Sequence, residues 1–210
     1  MGTITSKRVE DAISQIQRGK MIIIQDDQSR ENEGDLVIAA EHVTGEDINF
    51  IAHYARGLIC TPMTAERLQD LHLPQMVTEN EESLRTAFTV SVDAKEGITT
   101  GISAYERANT IRQLIDPKRT ADDFVRPGHV FPLEARPNGV LERRGQTEAS
   151  LDLMRLAHCY PAAVICEIMS PDGTMARRVE LEQFNKTHDL VLITVQELVD
   201  YRLEKELLAW

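Results

Sequence analysis

The amino-acid sequence predicts an α+β fold in which helices and strands form mixed α/β layers. Apolar residues recur at helical spacing in several segments, and short runs of β-branched residues follow them. At 210 residues and 42% hydrophobic composition, the chain can bury one sizeable core. It contains no internal repeat and no linker rich in glycine, serine or proline, so we expect a single domain over residues 1–210.

The chain is predicted to begin with a helix followed by a strand. Apolar side chains at helical spacing run from Val9 to Ile16, and Gly19 fits the C-terminal cap of this helix. The uninterrupted β-branched run at 22–24 then predicts a buried strand. Helix followed by strand is therefore the expected opening unit.

The same alternation returns along the chain. Thr44 and Asp47 have the spacing of a capping box, which predicts a helix that reaches Ala55 and stops at Gly57, before a strand at 58–60. Further capping boxes that open helices are Ser103 with Glu106 and Thr194 with Glu197. The remaining predicted elements are strands at 88–92, 130–133, 163–169 and 190–194 and helices at 151–157 and 179–186.

The charge balance excludes some classes of partner. The 34 acidic and 23 basic residues give a formal net charge of -11, which repels a phosphate backbone, so we expect no nucleic-acid partner. No apolar run approaches the roughly 20 residues that span a bilayer, so we expect no membrane partner. The three cysteines lack paired spacing and the first 20 residues are too charged for a signal segment, which predicts a cytoplasmic protein.

An acidic segment at 26–35 is the first candidate site. It places five carboxylates around Arg30, between two predicted strands. Magnesium takes oxygen ligands, commonly one or two carboxylates with water and substrate oxygens, and such a loop supplies them. Arg30 could pair with a substrate phosphate or with its own neighbours. The alternative interpretation is a solvated acidic turn.

Two single residues in apolar strands are candidates for proton transfer. His129 enters an apolar strand directly after a turn, and a histidine can exchange protons near neutral pH. Glu167 interrupts the apolar run at 164–169, where a carboxylate needs a partner or a raised pKa. The alternatives are a structural histidine and an outward-facing glutamate.

The segment at 143–149 is a candidate anion site. Arg143, Arg144 and Gly145 form a basic turn that enters a helix, and backbone N–H groups at a helix N-terminus favour a phosphate. Thr147 could equally be a plain N-cap.

Six motifs in this order resemble the 3,4-dihydroxy-2-butanone 4-phosphate synthase family of riboflavin biosynthesis. They run from about Asp11 to Tyr201 and read DDxxRENEGD, TAFTVSVDA, GISAxxRAxTI, RPGHVFPL, R-x-G-x-TEA, and PAAVICEI followed by DGTMAR. The resemblance implies the fold of that family and a homodimer with sites near the subunit interface. It also implies conversion of ribulose 5-phosphate to 3,4-dihydroxy-2-butanone 4-phosphate and formate with Mg²⁺, or Mn²⁺ as an alternative, and no organic cofactor.

The resemblance also implies roles for individual residues. Glu31 resembles the metal-binding carboxylate, and His129 and Glu167 resemble the two catalytic residues, with Asp26 as a further candidate for proton transfer. The residues that resemble substrate contacts are Arg30, Asp35, Thr86, Arg143, Arg144, Gly145, Gln146 and Thr147.

One departure from the family pattern matters more than the others. The family turn normally carries a histidine as the second metal ligand, and this chain has Gln146, whose amide oxygen is an acceptable magnesium ligand. Leu84-Arg85 and His158-Cys159 are smaller departures. Two alternatives therefore stay open: a divergent paralogue that acts on a related ketose phosphate, and a catalytically silent homologue that binds sugar phosphate.

Overall fold

A computed structural model describes residues 4–208, with side chains described for 6–205. The strands are β1 (Ile22–Gln25), β2 (Gly34–Ala39), β3 (Cys60–Thr64), β4 (Val92–Ala94), β5 (Phe124–Ala135), β6 (Ala163–Glu167) and β7 (Leu192–Thr194). The helices are α1 (Ile4–Gln17), α2 (Gly45–Phe50), α3 (Ala65–Asp70), α4 (Ala104–Leu114), α5 (Gln146–Leu156), α6 (Arg178–His188) and α7 (Val195–Leu208). The predicted mixed α/β architecture is confirmed.

All seven strands form one mixed sheet in the order β4-β5-β3-β6-β2-β1-β7. The hairpin β1–β2 is antiparallel, with Gln25 opposite Gly34. β2 is also antiparallel to β6, with Asp35 opposite Glu167. This register brings the acidic loop between β1 and β2 to the same end of the sheet as the C-terminal end of β6.

Helices cover both faces of the sheet. In β1, Ile22 and Ile24 pack in one core cluster with residues of α1, α5 and α7, whereas Ile23 packs in the other with residues of α2 and α4. Successive strand residues point to opposite faces, so a strand covered on both sides must be apolar at every position. This explains the uninterrupted run that predicted the strand.

The end of the second helix differs from the prediction. α2 continues as a π-helical turn, Ile51–Ala55, and Arg56 takes the left-handed conformation with φ 69°, so Gly57 is not the stop residue. β3 begins at Cys60 rather than at 58. Gly57 serves another purpose, because a Cβ at this position would lie 2.4 Å from the backbone oxygen of Glu167.

The strand predicted at 88–92 is largely wrong. Phe88 and Thr89 form only isolated bridges, and the regular strand β4 begins at Val92. The neighbouring β5 carries Pro132, which has no N–H to donate to a ladder, although its carbonyl accepts from the Thr89 N–H at 3.1 Å. The helix predicted at 151–157 begins earlier, at Gln146.

Two further expectations, on the cysteines and on membrane spans, can be compared with the described residues. Its three cysteines are free thiols, two of them buried. Within residues 4–208, no helix is long and apolar enough to cross a membrane.

Candidate active site

A cavity of about 250 Å³ lies at the end of the sheet where the β1–β2 loop, β6 and α5 meet. The predicted residues that line it are Arg30, Glu31, Asp35, Thr86, Gln146, Thr147 and Glu167. Lining residues that sequence reasoning did not assign to the site are Cys60, Glu82, Phe88, Leu133 and Ile165. A larger groove of about 610 Å³ between α6 and the π-helical turn contains none of the predicted residues.

Asp26 stabilises the acidic loop through hydrogen bonds to its buried carboxylate. Its side chain has no exposed surface and accepts hydrogen bonds from Arg30 Nη1 at 2.9 Å and from the N–H groups of Glu31 at 3.0 Å and Glu33 at 2.8 Å. A buried carboxylate is stable only when it is paired in this way. Asp26 therefore lies outside the cavity lining, with its oxygens engaged in holding the loop.

Arg30 joins the acidic loop to α5. Besides Asp26, its Nη1 atom contacts Glu31 Oε2 at 2.5 Å and Gln146 Oε1 at 2.8 Å. Burial lowers the pKa of Arg30, but the charges of Glu31 and Asp26 outweigh it and the net shift is upward. Three oxygens from two elements thus surround one cationic nitrogen. Such a set of hard oxygen donors fits a divalent ion such as Mg²⁺.

Asp35 and Glu167 form a carboxyl pair across β2 and β6. Asp35 is 3% exposed, and its Oδ1 atom is buried without a hydrogen-bond partner. Burial, and then the negative charge of Glu167, raises the pKa of Asp35 well above its usual range. Glu167 instead accepts the Leu58 N–H at 2.8 Å through Oε2. Two carboxyl groups in unequal environments are suited to opposite roles as acid and base.

The start of α5 forms the opposite wall. Gly145 is the N-cap and provides no side-chain hydrogen bond, so Thr147 is not the cap but lies inside the first turn. The N–H groups of a first helical turn lack intrahelical partners and attract anions. This geometry suits a phosphate beside Thr147.

Arg143 and Arg144 differ in their surroundings. Arg143 pairs with buried Glu148 at 2.7 Å and donates to Thr86 Oγ1 at 3.0 Å, so it fixes Thr86 against α5. Arg144 is more exposed and pairs with Asp27 at 3.2 Å. Neither arginine lines the cavity.

His129 lies outside the cavity. Its side chain is 43% exposed, with Nδ1 2.7 Å from Asp93 Oδ2, while its N–H donates to Asp93 Oδ1 at 2.9 Å. Leu133, four residues along β5, does line the cavity, and four residues span about 13 Å in a strand. The carboxylate occupies Nδ1, which leaves Nε2 as the nitrogen for proton transfer. His129 is therefore not among the residues that line this cavity with Glu167.

Two further residues that line the cavity, Glu82 and Cys60, have shifted pKa values. Glu82 accepts the N–H groups of Leu84 and Thr86, and although burial acts in the opposite direction these bonds lower its pKa to about 2. It belongs to an acidic stretch at 79–82 that no motif distinguishes from a surface loop. The Cys60 thiol is buried, and burial followed by the charge of Glu167 raises its pKa, so it stays protonated.

Comparisons with known proteins agree on one family. The family model for 3,4-dihydroxy-2-butanone 4-phosphate synthase matches residues 10–201. A riboflavin biosynthesis protein RibBA from Aquifex aeolicus is 59% identical over 96% of the chain and 50% of its own length. A 3,4-dihydroxy-2-butanone 4-phosphate synthase from Agrobacterium fabrum is 52% identical over 94% of the chain and 93% of its own length.

Solved structures support the same relationship. A crystal structure of 3,4-dihydroxy-2-butanone 4-phosphate synthase in complex with two magnesium ions has a TM-score of 0.90 and 43% identity, over 94% of this chain and 97% of that one. RibBX, a two-domain synthase from A. baumannii, has a TM-score of 0.90 and 52% identity over 93% of this chain and 57% of its own. The chain spans about half the length of several curated relatives that it matches.

Proposed function

Because the chain belongs to the 3,4-dihydroxy-2-butanone 4-phosphate synthase family, we propose that it converts ribulose 5-phosphate to 3,4-dihydroxy-2-butanone 4-phosphate and formate. One observation carries the proposal: Glu31, Gln146 and Glu167, from three separate elements, line one cavity. Relatives at about half identity bear the synthase name over most of the chain, which does not favour a changed substrate or a silent homologue.

Glu31 and Gln146 are the proposed ligands of Mg²⁺, with Mn²⁺ as an alternative. Their oxygens already face one cationic nitrogen of Arg30, which supports a cation position between the loop and α5. When bound, the ion would supply positive charge that lowers the cost of negative charge on a substrate oxygen. The Arg30 side chain would then be released to pair with the substrate.

Asp35 and Glu167 are the proposed acid and base. Glu167, held by the Leu58 N–H, takes a proton from a substrate carbon next to the carbonyl. Burial raises the pKa of Asp35 and so favours its protonated form, which makes it the proposed donor of a proton to the hydroxyl group that leaves as water. Asp26 supports this chemistry by holding the loop rather than by transferring a proton.

The remaining substrate contacts concern the phosphate and the hydroxyl groups. The first turn of α5, from Gly145 to Thr147, is the proposed phosphate site. Arg143 positions Thr86 against the substrate, and Arg144 adds positive charge at the entrance when it exchanges Asp27 for the phosphate.

His129 is proposed to act in a homodimer. It is exposed, fixed by Asp93 and absent from the lining of the cavity in its own chain. A second copy that brings its β5 to the cavity would complete the site with His129 of the partner subunit, without any change within either subunit.

Release of formate from ribulose 5-phosphate, with and without a chelator, tests the proposal. We expect release that requires Mg²⁺ and falls at least about 100-fold in Glu167→Gln, because the base is removed. Glu66→Gln, an exposed change in α3, is the matched control and should retain activity. Absence of metal-dependent release by the folded protein at any magnesium concentration would refute the synthase activity.

A further inference from the structure

We propose that Glu41, His42 and Cys159 form a second metal site, for a zinc-type ion, at the end of the sheet remote from the cavity. One ligand atom from each residue lies within 4.8 Å of the other two. Among the residues whose side chains the structure describes, they are the one group of three metal-ligating side chains that lie so close together. They follow β2 and precede β6, whereas the cavity lies at the other end of these strands, about 17 Å away.

The backbone brings the three residues together. The Ala40 N–H donates to the Ala162 carbonyl at 3.1 Å, which ties the segment after β2 to the segment before β6. The Tyr160 N–H then donates to Glu41 Oε2 at 2.7 Å and places Cys159 beside this carboxylate. A hydrogen bond to one polar atom of a side chain orients its other polar atom before a metal binds, and Glu41 is oriented in this way.

The His42 ring packs against the backbone of Gly19. A Cβ on Gly19 would lie 3.3 Å from Cγ of His42, so the imidazole packs directly against a backbone without a side chain. Gly19 has φ +71°, which favours glycine at this position. The turn that follows α1 therefore supports the ring by direct contact.

The distances fit a tetrahedral ion. Glu41 Oε1 and His42 Nε2 are 3.5 Å apart, and two ligands at about 2.1 Å from a tetrahedral Zn²⁺ are about 3.4 Å apart. The sulfur needs about 3.6 Å to each, so Cys159, which is partly exposed, must approach by about 1.2 Å at most. Thiolate, imidazole and carboxylate together suit Zn²⁺ or Co²⁺ rather than Mg²⁺. Water would take the fourth position.

Co²⁺ added to the full chain in saturating Mg²⁺ is the direct probe. We expect one Co²⁺ per chain with a thiolate-to-cobalt charge-transfer band, which Zn²⁺ displaces. The band should vanish in Cys159→Ser, and His42→Ala should weaken binding at least about 10-fold. His72→Ala, an exposed histidine elsewhere, is the control and should bind normally. No band at millimolar Co²⁺, or a band that persists in Cys159→Ser, would overturn the proposal.

Thermal unfolding gives a second readout that does not depend on the synthase activity. Zn²⁺ at about 100 times its Kd should raise Tm by about 5–10 °C, because it joins two loops only in the folded chain. Cys159→Ser should abolish the Zn²⁺-dependent rise, and an equal rise in this variant would contradict the site.

Discussion

At the scale of single residues, Arg30 is the side chain that joins the acidic loop to α5 at the cavity. Its Nη1 atom contacts Asp26, Glu31 and Gln146. The Asp26 contact is buried, so it can keep the side chain near the loop when the other two oxygens change partner. A divalent ion at Glu31 and Gln146 must compete with this guanidinium, because both positive groups need the same oxygens. We therefore expect the identity of residue 146 to determine how strongly the proposed ion is held.

Gln146→His should bind the metal more tightly. An imidazole nitrogen is a stronger donor than an amide oxygen towards a transition-metal ion, so we expect the Mn²⁺ concentration for half-maximal formate release to fall about 10-fold. Titration calorimetry checks the affinity without turnover. Gln69→His, an exposed change in α3, is the matched control. Equal metal affinity in Gln146→His and the parent chain would remove Gln146 from the proposed ligands.

Asp35→Asn should change how stability depends on pH. The pKa of Asp35 is raised in the folded chain, so this group contributes stability that is fully present below its unfolded pKa of about 4 and is lost as the pH rises through the folded value. The free energy of unfolding of the parent, relative to Asp35→Asn, should therefore decrease with rising pH. Urea unfolding in a chelator measures it, with exposed Asp70→Asn as the control. A difference that is constant or increases with pH would contradict the burial argument.

At the scale of elements, the sequence predicts hydrogen bonds between residues that are close along the chain. It does not predict contacts between distant segments. The capping boxes at Thr44 and Thr194 were predicted because each involves residues three apart, and both are present in the structure. At Ser103 only the side chain caps the helix, by accepting the Glu106 N–H. Glu82 was missed as a lining residue because its place depends on how the 82–86 turn folds against α5. The motifs did indicate that Glu31, Gln146 and Glu167 belong together, through the family resemblance and not through spacing.

Gly57 shows why one element boundary was misjudged. Sequence reasoning gave it a capping role, since a glycine after a helical pattern usually ends the helix. The structure gives the left-handed position to Arg56 and brings Gly57 against β6, where the Glu167 backbone passes. A close approach of two backbones leaves no local pattern in the sequence.

Gly57→Ala should impair catalysis by moving Glu167. The added Cβ would lie 2.5 Å from Glu167 Oε2 and 2.9 Å from its backbone nitrogen, so the carboxylate must shift. A displacement of about 1 Å at a reacting group costs about 100-fold in rate, which kcat for formate release would show. Gly45→Ala is the matched control, because the three atoms nearest to its Cβ all belong to Tyr105, whose side chain is exposed and can move aside. A folded Gly57→Ala protein with normal kcat would contradict the role given to Glu167.

At the scale of the whole molecule, the separation of His129 from the cavity is the central feature. In the strand order only β3 separates β5 from β6, but β5 reaches the cavity lining at Leu133 and not at His129. Asp93 of β4 fixes His129 in an exposed position. Since the cavity lining of one chain does not include His129, we expect a second copy to supply the histidine.

Mixing two inactive variants tests this assembly. We expect His129→Ala and Glu167→Gln each to lose activity, because each lacks one proposed catalytic group. In a mixture that exchanges subunits at random, half the dimers combine the variants and each of these has one intact site, so activity should recover to about a quarter of the parent level. Glu31→Gln mixed with Glu167→Gln is the control and should not recover, since both residues line the cavity of the same chain. Differently tagged subunits that co-purify without any recovery would mean that His129 acts within its own chain or not at all.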